Sequence, residues 1–70
     1  MPNAIELIVD GYVRLNNRRA LDDLRMQGRK LAVDLKARTG FDFRPTIQQI
    51  EEDIAVIEAG LARLDGAAAS

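Results

Sequence analysis

The chain reads as all-α: an αα-hairpin with an N-terminal helical arm, expected to assemble into a helical-bundle dimer. Three observations predict this. Ile47, Ile50, Ile54, Ile57, Leu61 and Leu64 are spaced 3, 4, 3, 4, 3, the rhythm of a helix that buries one narrow seam. Leu21, Leu24, Gly28, Leu31 and Leu35 repeat at 3, 4, 3, 4. Ile5, Ile8, Tyr12 and Leu15 recur at 3, 4, 3, with Val9 beside them.

The first element starts at Asn3, which can cap the free N–H groups, with Glu6 placed to reach back to the cap. A rival reading turns Ile5–Val9 and Tyr12–Leu15 into a β-hairpin at Asp10-Gly11. A lone two-stranded hairpin is barely stable in water, and the capping box favours helix. The helical pattern then meets Asn16-Asn17, two residues that prefer caps and turns.

Arg18 to Arg38 forms the second pattern. At about 100° per residue its stripe centres roughly 150° away from the first. Either the helix breaks at Asn16-Asn17, or one helix of about 54 Å runs through and buries opposite faces in its two halves. Thr39-Gly40 is expected to end it, with Gly40 left-handed and Phe41 touching the last turn. Thr46 and Gln49 are expected to cap the last helix. The reading is one domain over residues 1–65, with helices over about 3–16, 18–38 and 46–65, and a disordered tail over 66–70.

Hairpin pairing sets Leu35 against Ile47, Leu31 against Ile50, Gly28 against Ile54, Leu24 against Ile57 and Leu21 against Leu61. Arg25 and Glu58 then flank the seam on one side. Gly28 costs about 1 kcal/mol of helix propensity relative to Ala, so a close approach to Ile54 is the expected reason for it. If the helix is continuous its first half protrudes, and a two-fold dimer in which each arm covers the other's hairpin is preferred to an arm that bends at Asn16-Asn17 and folds back as a three-helix bundle. The stripe of Ile5, Ile8, Val9, Tyr12 and Leu15 is then the expected oligomer interface.

Charge agrees with a hairpin. Residues 14–44 carry nine bases and four acids, while residues 45–70 carry one base and five acids, within a net charge of −1. A basic second helix beside an acidic third explains much of the split. Arg14, Arg18, Arg19, Arg25 and Arg29 form the one set that could meet an anion or nucleic acid. A pI of about 5.2 and the absence of interleaved aromatics argue against that use.

Chemistry is scarce. The sequence has no His and no Cys, so disulfides, imidazole bases, thiolates and the usual zinc ligands are all excluded. Asp22-Asp23 and Glu51-Glu52-Asp53 are consecutive on helices; such carboxylates point about 100° apart and do not converge. Phe41 and Phe43 are expected to plug the end of the bundle. No catalytic residue, cofactor or metal is expected. The longest aliphatic run, Leu7-Ile8-Val9, is far short of a membrane span, and a cytoplasmic location is expected. Function therefore reads as a small non-enzymatic interaction module that pairs with itself and binds a protein partner. The alternative is a nucleic-acid-associated regulator using the Arg14–Arg29 face.

Overall fold

A computed structural model of the protein describes residues 3–38 and 40–69, with side chains through Gly66. Those residues form three helices, α1 (Ala4–Arg14), α2 (Arg18–Ala37) and α3 (Arg44–Ala69), and no strand. The first capping box forms as the sequence implies. Asn3 Oδ1 accepts from the Glu6 N–H at 3.0 Å, and the Asn3 N–H donates to Glu6 Oε2 at 3.3 Å. Asp10-Gly11 lies inside α1, not in a hairpin turn.

The helix does not run through Asn16-Asn17. Asn16 adopts φ +54°, its N–H donates to the Val13 carbonyl at 3.0 Å, and the Asn17 N–H donates to the Tyr12 carbonyl at 2.9 Å. This is a Schellman stop with Asn in the left-handed position, which Asn tolerates better than most residues with a Cβ. Asn17 at once caps α2, its Oδ1 accepting from the Ala20 N–H at 3.2 Å. One dipeptide thus ends a helix and begins the next.

The reversal folds α1 back onto the hairpin, which corrects the expectation that the arm lacks cover in its own chain. Val9, only 3% exposed, joins Leu21, Ile57, Leu61 and Leu64 in the core, with Ile5, Tyr12 and Val13 packed against it. A phase difference matters only on a straight helix; once the backbone reverses, both stripes can face one core.

α2 and α3 lie antiparallel. Lys36 pairs with Glu51 at 2.9 Å, Arg29 with Glu58 at 3.4 Å, and Arg18 with Asp65. Gly28 faces Ile54 as the hairpin register requires: a Cβ on it would sit 3.0 Å from Ile54 Cγ1. Ala32, one turn on, is buried while Leu31 is pushed to the rim. Two small residues four apart, Gly28 and Ala32, thus face α3 where a leucine-only seam has Leu31. α1 runs beside α3 in the same direction, with Asp10 bonded to Arg63 at 3.3 Å.

The ends differ from expectation. α3 starts at Arg44 with Pro45 in its first turn, where a missing N–H costs nothing. The Ile47 N–H donates to the Phe43 carbonyl at 2.8 Å, and Asp42 Oδ1 accepts from the Arg44 N–H at 3.1 Å. Gln49, no longer needed at a cap, donates to Asp53 at 3.0 Å. α2 closes at Arg38, and Gly40 takes φ +93°; Thr39 lies outside the described residues. Phe41 is 80% exposed and only tilts against Phe43 at 6.0 Å, so it neither plugs the bundle nor covers the last turn. Helix α3 continues through Gly66 to Ala69, where a tail was expected; Ser70 lies outside the described residues.

Candidate interaction surface

The five arm residues separate onto two sides of α1. Val9 is buried and Ile5 and Tyr12 are half-buried, all toward the core. Ile8 is 47% exposed and Leu15 74% exposed, and Leu7, outside the predicted stripe, is 62% exposed. At about 100° per residue, Ala4, Leu7, Ile8, Gly11 and Leu15 fall within a sector of roughly 100°. The outer side of α1 is therefore an uncharged ridge, bordered on one flank by Glu6, Asp10 and Arg14. Leu15 stands at its end, where α1 turns into α2.

Beyond Ile5 the track that α1 follows along the hairpin is open. Leu24, Gly28 and Leu31 of α2 and Ile50 and Ile54 of α3 line a groove of about 210 Å³ there, with Ile5 at one end. The reason is length. An 11-residue helix covers about 17 Å of a 26-residue helix of about 39 Å.

The short α1 is held by a residue that spacing alone did not flag. Gly60 of α3 meets Val9 and Val13 so closely that a Cβ there would overlap Val9 Cγ1 and lie 3.3 Å from Val13 Cγ2. A signal was available. A glycine inside a strongly periodic helix costs about 1 kcal/mol, and Gly60 sits between Ile57 and Leu64 at the seam's edge. The same propensity cost that singles out Gly28 falls on Gly60.

Most of the basic set is matched within the fold. Arg14 bonds Asp10 at 3.0 Å, Arg25 bonds Asp22 at 3.2 Å, Arg29 takes Glu58, and Arg18 takes Asp65. Glu58 thus pairs with Arg29, while Arg25 pairs with Asp22 on its own helix. The Arg18 hydrogen bond holds the Asp65 carboxyl below its ordinary value. Among the described residues Arg19 alone of the five has no ion-pair partner. These pairs are exposed, so each contributes little to stability, but each sets a carboxylate beside a guanidinium of the basic set.

A larger open cleft of about 580 Å³ lies at the hairpin end, beside Phe41, Phe43 and Ile47. Its cations are also engaged: Lys36 with Glu51, Arg38 with Asp34 at 3.4 Å, and Arg44 with Asp42 at 2.9 Å. The Arg44 hydrogen bond lowers the Asp42 carboxyl in turn. Among the described residues no three carboxylates converge as a metal site would require, and no helix is long and apolar enough to cross a membrane. No protein-family model, curated protein or solved structure matches the chain at a significant level.

Proposed function

We propose that this chain is a small non-enzymatic interaction module of the cytoplasm. It pairs with a second copy around Leu15 and offers Leu7 and Ile8 to a protein partner. The observation that carries this reading is the bare ridge on α1. A helix of 11 residues that buries one side in the core leaves Leu7 and Ile8 in water on the other, with Leu15 exposed at its C-cap. An apolar strip of that kind marks an interface. A 70-residue chain with no disulfide also has reason to gain stability from association. Nucleic-acid binding is the weaker reading, because four of its five arginines face carboxylates in their own chain.

Light scattering across a concentration series tests the pairing. Leu15→Glu should give a monomer with unchanged helical content, since that side chain touches little of its own fold. A wild-type chain still monomeric at about 500 µM would end the proposal.

A further inference from the structure

Resting on that self-association, we propose that the two copies exchange α1, each arm packing on the hairpin of the other chain. The hinge is residues 15–17, between the end of α1 and the start of α2. In the closed form Asn16 holds φ +54°, a region that residues with a Cβ enter at a cost. Straightening the hinge removes that cost. It replaces the bonds from the Asn16 and Asn17 N–H groups to Val13 and Tyr12 with ordinary helical ones, so no backbone hydrogen bond is lost.

The contacts of α1 with the hairpin are the same in both forms. Val9 enters the notch at Gly60 and Asp10 bonds Arg63, within one chain or between two. Exchange of an identical element is a low-cost route to a dimer for that reason. The phase of the sequence agrees. On a straight helix the apolar face of residues 5–15 points roughly 150° away from that of residues 21–35. A straight arm therefore turns from its own hairpin and must find another. The two-fold axis of such a dimer passes near the hinge, where Leu15 meets its own copy. That places under cover the most exposed large aliphatic side chain among the described residues.

The test combines hinge variants with cross-linking. Asn16→Ala with Asn17→Ala removes both the left-handed stop and the α2 cap, which exist only in the closed form. About tenfold per hinge, and two hinges per dimer, gives a dimer association constant raised about a hundredfold. Asn16→Gly relaxes the closed hinge and should lower it severalfold. For the exchange itself, Asp10→Cys with Arg63→Cys supplies the only thiols in the chain, and a short bismaleimide joins them. Material from the dimer peak should run as covalent dimer on a denaturing gel, with the hinge otherwise unmodified. Single chains from that peak would overturn exchange and leave pairing intact. If the unmodified chain stays monomeric at about 500 µM, exchange and pairing fall together.

Discussion

Gly60 on α3 and Val9 on α1 approach so closely that no side chain fits between them. That contact decides where the arm lies, because Val9 is the only residue of α1 that is fully buried. The notch turns a short helix with one buried valine into a docked element.

The two helical glycines should respond differently to alanine. At Gly60 the new methyl meets a buried valine with nowhere to move, so overpacking of about 1–3 kcal/mol outweighs about 1 kcal/mol of helix propensity. A net loss of about 1–2 kcal/mol is expected, partly restored by adding Val9→Ala. At Gly28 the clash is milder, with Ile54 Cγ1 at 3.0 Å, and the propensity gain offsets it to within about 0.5 kcal/mol. Urea unfolding of the two single variants and the double cycle measures this. Equal losses at both glycines would contradict the notch.

Seam and surface positions on α3 separate in the same way. Ile54 is buried and Glu52 is exposed, its one side-chain bond a long 3.4 Å contact from Gln48. Ile54→Asp sets an unpaired carboxylate in the core at a cost of several kcal/mol and should unfold the chain. Glu52→Ala should change stability by less than about 0.5 kcal/mol. Circular dichroism with urea titration distinguishes them, and comparable effects would refute the seam.

Stability should not vary between pH 5 and 8, since the sequence holds no His or Cys to titrate there. Below that range the sign follows from Asp65 and Asp42. Arg18 and Arg44 hold their carboxyls below the ordinary value. The stabilisation is complete above the unfolded value of about 4 and is lost as pH falls through the lower folded values. Both groups are solvated, so the loss is small and shrinks with salt. Urea midpoints at low ionic strength from pH 6 to 2 check this. A chain that gains stability on acidification from pH 5 to 3 would exclude the pairing.

Much of this architecture is legible locally. The cap at Asn3, the α2–α3 hairpin, the facing of Gly28 and Ile54 and the pairing of a basic with an acidic helix all follow from residues at known spacings. Each depends on interactions within a turn or two, or on the antiparallel register that a short connection imposes. The start of α3 is not legible in the same way, because Arg44 and Thr46 both offer an acceptable first turn, and Asp42 selects the earlier one.

By itself the sequence determined three helices, their amphipathic faces, the hairpin and the scarcity of reactive side chains. Only the tertiary structure decided which way the arm turns, that Ala32 replaces Leu31 in the core, and that Arg29 reaches Glu58. The reason is that a helix is specified by neighbours three and four residues apart, whereas the choice of partner surface is made elsewhere. A single φ at Asn16 swings the whole of α1, and whether that turn is worth its local cost depends on a glycine 44 positions further along the chain.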